Sequence, residues 1–194
     1  LLAEAIMNTN ASPVSMSEGA TIHATKRRDA EASAESASGH QYLTFALSGE
    51  LFAMDILHIK EIIEYHGVTS VPMMPPFLRG VINLRGSVLP VVDLSIRFGR
   101  EVTTIGRRSC IVILEVPHPD GVHDIGVIVD AVNSVIDIAD TDIEPAPTFG
   151  ARVRADFIKG MGKIGDKFVV VLAVAQVLSI NEMAQLVNTT PGAS

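Results

Sequence analysis

The chain has 194 residues, 47% of them hydrophobic but only 5% aromatic, and a net charge of −7 from 22 acidic and 15 basic residues. An acidic chain without a basic block excludes the surface that nucleic acid or an anionic membrane would require. No stretch reaches the roughly 18 uninterrupted apolar residues of a transmembrane helix, and the lone Cys110 cannot close an internal disulfide.

The length suits one domain or two small ones. The opening LLAEAIMNTN has no basic segment and only a short apolar run, so it does not read as a secretory signal. A reducing, cytoplasmic setting is expected. Residues 1–39 are rich in Ser, Ala, Thr and charge, as in SMSEGATIHATKRRDAEASAESASG. Such a tract buries too little apolar surface to offset its chain entropy and reads as a disordered tail.

Order is expected from residue 40 to about 187, with 188–194 as a C-terminal tail. In QYLTFALSGELFAMDI, Leu43, Phe45 and Leu47 alternate with smaller residues, and Ser48-Gly49-Glu50 marks a turn. This is a β-hairpin pattern. In DILHIKEIIEY, Ile56, Ile59, Ile62 and Ile63 fit a helical stripe, but β-branched residues dominate. The balance predicts a short helical turn and then a strand ending near Tyr65. VPMMPPFLRG reads as a loop followed by one helical turn, opened by Pro75 and Pro76 and closed by Gly80.

GVINLRGSVLPVVDL predicts two strands joined at Leu84-Arg85-Gly86, with Pro90 demanding an edge or a bulge. SCIVILEV and HDIGVIVDAVNSVIDI flank the turn PHPDGV. After DTDIEPAPTFGARVR, the segment DFIKGMGKIGDKFVVVLAV reads as strand, Gly-rich turn and strand. SINEMAQLV fits a short C-terminal helix with a capping box of Ser179 and Glu182. Nine or ten short strands leave no room for crossover helices, so the class is mostly β and antiparallel, built as small barrels or a sandwich.

The inventory of reactive groups is nearly empty. GMGKIG at 160–165 matches G-x-G-x-x-G, but a dinucleotide site needs a helix after it, and DKFVVVLAV reads as a strand. The pattern fits a hairpin turn. His118, Asp120, His123 and Asp124 crowd into PHPDGVHD, yet the spacing falls in a surface loop without Cys or an H-E-x-x-H helix, so no metal site is expected. His58 and His66 have no evident partners. Cys110 opens an apolar strand and reads as a buried, inert thiol. Asp93 and Asp130 end apolar strands, where capping explains them. A good core without catalytic residues or cofactor motifs points to a binding module.

The ordered blocks then carry a resemblance. In order they are YLTFALSGELFAMDI, ILHIKEII, PPFLRGVINLRGSVLPVVDL, IGVIVDAVNSVIDI, the IEPAPTF loop and FIKGMGKIGDKFVVVLAV. Over residues 41 to about 187 they resemble the CheW family, the adaptors of bacterial chemotaxis. The regulatory domain of CheA and the adaptor half of CheV carry similar blocks; the absence of kinase, phosphoacceptor and receiver segments favours a stand-alone coupling protein.

The resemblance implies two small five-stranded SH3-like β-barrels packed about an apolar seam. It implies a non-enzymatic scaffold joining chemoreceptor signalling tips to the CheA histidine kinase, with further contacts to other array subunits. Such a protein is recruited to membrane arrays without inserting into the membrane. By position, the receptor-facing candidates are Ile59, Gly80, Arg85, Cys110, Ile111 and Gly126. The kinase-facing candidates are Lys60, Glu61 and Ile62. Arg85 is expected either to pair with Glu61 or to meet a receptor helix. The alternatives are a nucleotide enzyme built on GMGKIG and a fragment of a CheA-like or CheV-like protein.

Overall fold

A computed structural model describes residues 39–146 and 153–183. The expected disordered tail over 1–39 and the tail over 188–194 lie outside the described residues, except Gly39, which the structure places in a strand. The strands are β1 (Gly39–Leu47), β2 (Glu50–Asp55), β3 (Ile59–Glu64), β4 (Leu78–Leu84), β5 (Ser87–Asp93) and β6 (Cys110–His118). They continue as β7 (Gly121–Val129), β8 (Ala131–Ala139), β9 (Ile143–Glu144), β10 (Ile158–Ile164) and β11 (Lys167–Leu172). The first sheet runs β8-β1-β2-β11-β10-β9 and the second β3-β6-β7-β5-β4.

The chain leaves the first sheet through the 3-10 turn Ile56–His58, where the Asp55 side chain caps the Leu57 N–H, and so enters β3. It returns at Asp130, whose carboxylate accepts from the Ser48 N–H at 2.7 Å. HDIGVIVDAVNSVIDI is therefore two strands in two different sheets. Each sheet also contains one parallel pairing, β2 with β11 and β5 with β7. The expectation of a purely antiparallel architecture is corrected on this point. Strands of the intervening chain make the returns, so no crossover helix is needed.

Strand alternation distributes the core. Leu43, Phe45, Leu47, Phe52 and Met54 from the first sheet meet Val92, Val112, Leu114, Val116 and Val127 from the second in a shared seam. Phe45, Phe52, Phe98 and Phe157 form a chain of rings along it, with successive centroids 5.6–6.1 Å apart. The opposite faces form separate small cores: Tyr42, Ala53, Ile138, Val169 and Val171 in one lobe, and Leu89, Val91, Ile111, Ile113 and Ile128 in the other. The sheets hold six and five described strands, and neither ladder closes on itself. In the second lobe, Thr69 beyond β3 makes one antiparallel bridge to Val81 of β4.

Three local expectations change. Pro75-Pro76 opens no helix; Leu78 donates to the Pro75 carbonyl at 2.9 Å and already lies in β4. Pairing of Leu78 with Val92 competes with a helical turn there and wins, and Gly80 sits at a register shift of that ladder. Pro90 is not on an edge strand, because β5 lies between β4 and β7; the β7 ladder begins only at Val91, so the missing donor costs no bond on that side. Gly160 and Gly162 are strand residues of β10, and only Gly165 takes a positive φ, +58°. A strand, not a helix, follows Gly165, which rejects the dinucleotide reading.

Candidate functional site

Arg85 and Gly86 form a two-residue loop between Leu84 and Ser87, with φ of +53° and +90°. Two positive φ values mark the I′ hairpin turn, which matches the natural twist of its strands. Gly86 accepts this without strain, and Asn83 Oδ1 accepts its N–H at 3.0 Å. The turn thrusts the Arg85 side chain outward, 79% exposed, while its Nη2 donates to Glu61 Oε2 at 2.8 Å. Glu61 lies on β3, at the opposite edge of the sheet from β4. An exposed pair of this kind contributes about 0–1 kcal/mol. The pair tethers the guanidinium lightly and leaves it available.

The remaining receptor-facing candidates do not form one surface. Gly80, Ile111 and Gly126 are buried. A Cβ on Gly126 would meet Ile111 Cγ2 at 2.8 Å and Val91 Cγ2 at 3.3 Å, so the position is small because the β5–β7–β6 layer closes over it. Ile59 and Cys110 are half-buried and pack against the seam, with the Cys110 thiol donating to the Arg108 carbonyl at 3.3 Å. Ile111 also floors a groove of about 420 Å³ walled by Ile63, Val81 and Ile82. Of the kinase-facing candidates, Lys60 and Ile62 are exposed, and Glu61 is turned toward Arg85. Lys60 reaches Asp124 at 2.9 Å and Glu115 at 3.4 Å. These two carboxylates, the Asp124 bond foremost, raise its pKa above the ordinary lysine value.

Sequence reasoning missed a larger, more apolar groove of about 480 Å³, lined by Met74, Phe77, Val88, Pro90, Val122 and Met183 among others. Its signal was PMMPP: Met74, on the groove wall, is 41% exposed, and methionines on a surface adapt to varied apolar partners. Ser87, two residues after Arg85, also lines it.

Arg97 was missed as well. It is buried, donating from Nε to the Val177 carbonyl at 2.9 Å and from Nη2 to Glu182 at 2.8 Å, over the Phe157 ring at 4.7 Å. Burial alone would raise the Glu182 carboxyl, but bonds from Arg97 and Arg154 outweigh it and leave its pKa lowered. This clamp fastens the helical residues 180–183, including the groove residues Ile180 and Met183. Ser179 caps them, accepting the Glu182 N–H at 3.4 Å. The reciprocal half of the capping box is unused, because the Glu182 carboxylate goes to the arginines.

Asp93 is fully buried and accepts from the N–H groups of Ser95 and Thr103 at 3.0 Å and from the Thr103 hydroxyl at 2.7 Å. Arg79 lies 3.5 Å from it. The first arginine of FLRGVINLRG is thus structural and the second is displayed. Among the described residues, no helix is long and apolar enough to cross a membrane.

Comparison with known proteins places this geometry. The family model for the CheW-like domain matches residues 41–182. A "Chemotaxis protein CheW" of Klebsiella aerogenes is 31% identical over 150 residues, covering 77% of this chain and 88% of that protein. One from Helicobacter pylori is 33% identical, covering 71% and 81%. The crystal structure of the scaffolding protein TtCheW from Thermoanaerobacter tengcongensis superposes with a TM-score of 0.66 at 33% identity, covering 74% of this chain and 90% of that one. With both lobes, the seam and the displayed arginine inside the matched span, the chain belongs to the CheW-like family.

Proposed function

We propose that this protein is a non-enzymatic chemotaxis adaptor that couples methyl-accepting chemoreceptors to the CheA histidine kinase. The observation that carries the reading is an exposed guanidinium, Arg85, set two residues before the wall of an open apolar groove. A receptor tip is helical in this reading, and a helix can lay an apolar face along such a groove while an arginine fixes its register. Gly80, Ile111 and Gly126 then act by shaping the second lobe rather than by touching the partner. Lys60 and Ile62, on the exposed face of edge strand β3, form the side offered to the CheA regulatory domain, and other array subunits extend the assembly. Holding both partners at once converts two weak contacts into one complex through effective concentration. The protein works in the cytoplasm at membrane receptor arrays. The Thr69–Val81 bridge supports reading the second lobe as an SH3-like barrel.

The test is co-retention of the full chain by an immobilised receptor signalling tip and by CheA at micromolar protein. Binding to both, weakened by Arg85→Glu at the receptor and by Ile62→Asp at the kinase, supports the proposal. Retention by neither partner sinks it.

A further inference from the structure

The β6–β7 hairpin carries a cluster that the adaptor reading does not use. In the fold its turn is tight: His118 pairs with Gly121 across two loop residues, and His123 pairs with Val116. His118 and His123 are therefore diagonal neighbours on one face of the ladder, with ring centroids 5.3 Å apart. Asp120 lies between them. Its Oδ1 contacts His123 Nε2 at 2.9 Å and also contacts His118 Nδ1. One donor atom from each of the three lies within 4.8 Å of the others.

Asn181 supplies a separate constraint. Its side-chain oxygen, which can only accept, lies 3.2 Å from His118 Nε2. With the amide in this orientation, Nε2 carries the proton. In the neutral ring, Nδ1 then presents a bare lone pair to the Asp120 carboxylate, and two acceptors face each other. A proton on Nδ1 relieves that contact, and a metal ion in its place does the same, the two competing for one lone pair. The arrangement is also how metal-bound histidines are held elsewhere: one nitrogen donates to a fixed acceptor and the other is free to ligate.

We propose that His118, Asp120 and His123 form a three-ligand site for a divalent transition ion of the zinc class. Two imidazoles and one carboxylate select zinc, cobalt or nickel over magnesium and calcium, which prefer oxygen. Donors around a tetrahedral zinc sit about 3.3–3.5 Å apart, given bonds near 2.0–2.1 Å. Reaching that spacing needs only small movements of Asp120 and His123, whose side chains are 65% and 44% exposed. A fourth position stays open to solvent or to a partner's donor. His123 also lines the larger groove, and Asn181 lies between its residues Ile180 and Met183, so the ion would tie the hairpin turn to the groove's edge.

The test uses the full chain with cobalt(II) and zinc chloride, measured by the visible absorption of bound cobalt and by titration calorimetry. One equivalent of ion should bind at micromolar concentration, with zinc displacing cobalt and the melting temperature rising on binding. Asp120→Ala and His123→Ala should each weaken binding at least tenfold. Asn181→Ala should weaken it severalfold while all three ligands remain. His58→Ala and His66→Ala, outside the cluster, should change nothing. Absence of binding at 100-fold excess ion over micromolar protein would overturn the site, as would equal affinity in the cluster variants. Because the readout needs neither receptor nor kinase, its failure is separable from failure of the adaptor reading.

Discussion

Replacing Gly80 by alanine separates a shaping role from a contacting one. Its φ is +146°, a conformation that side-chain-bearing residues rarely adopt. An alanine Cβ would lie 2.8 Å from the Thr69 carbonyl carbon, closer still to its oxygen, and 3.2 Å from Ser70 Cα. All three are backbone atoms, so no side chain can swing aside. Relief requires opening the Thr69–Val81 bridge, whose two hydrogen bonds are both 2.9 Å. Losing two such bonds costs about 1 kcal/mol each, and the φ itself about 1–3 kcal/mol. The sum is about 3–5 kcal/mol, a large share of the roughly 5–15 kcal/mol of a typical domain. Urea denaturation followed by circular dichroism suits a chain without Trp. The midpoint should fall by roughly 1–3 M with an unchanged slope. A loss below about 1 kcal/mol accompanied by lost receptor-tip binding would refute the reasoning and make Gly80 a contact residue.

Gly126→Ala should be milder, about 1–3 kcal/mol, because the added methyl meets the side chains of Ile111 and Val91 rather than backbone; the same urea titration compares the two. A double-mutant cycle on Arg85 and Glu61 should give a coupling of about 0.2–1 kcal/mol in low salt, falling as salt is added, and zero coupling would remove the tether. Glu182→Gln should cost about 1.5–3 kcal/mol at pH 7, since it leaves the buried Arg97 short of a charged partner. The Glu182 carboxyl is held below its ordinary value near 4.5, so its stabilisation is complete above that pH and is lost as the pH falls through the lower folded-state value. Acid titration of unfolding should show this loss in the native chain and not in the glutamine variant. Ile62→Asp, at a side chain already 41% exposed, should leave the melting temperature within a few degrees of native while reducing CheA retention.

Local rules made much of this protein legible. The hairpin at Leu84-Arg85-Gly86 follows from a glycine that accepts positive φ between two alternating runs. The turn and strand of DILHIKEIIEY follow from Asp55 as a cap and from β-branched isoleucines. Pairing of Arg85 with Glu61 was anticipated from the family blocks, and the distance between them agrees. The capping role of Asp93 was legible too, but its second ligand, Thr103, was not, because that contact forms only when the following loop folds back.

What periodicity does not encode is which sheet a strand joins. HDIGVIVDAVNSVIDI reads as one apolar run, and its division at Asp130 depends on Ser48 in another hairpin. Parallel pairing of β5 with β7 depends on chain returning through β6. The same limit hid the geometry of the candidate surface. Gly80, Ile111 and Gly126 share the family's blocks with Arg85, yet packing buries all three, Ile111 as the floor of the smaller groove, and leaves Arg85 displayed. The Met74–Met183 groove and the Arg97 clamp join residues about a hundred positions apart, a juxtaposition that only tertiary packing creates. His118 and His123 looked like loop residues five apart; cross-strand register put them on one face around Asp120. The amino-acid order determined the elements and the family, because those rest on neighbours in the chain. Packing determined which side chains are exposed, because exposure is a property of the whole surface.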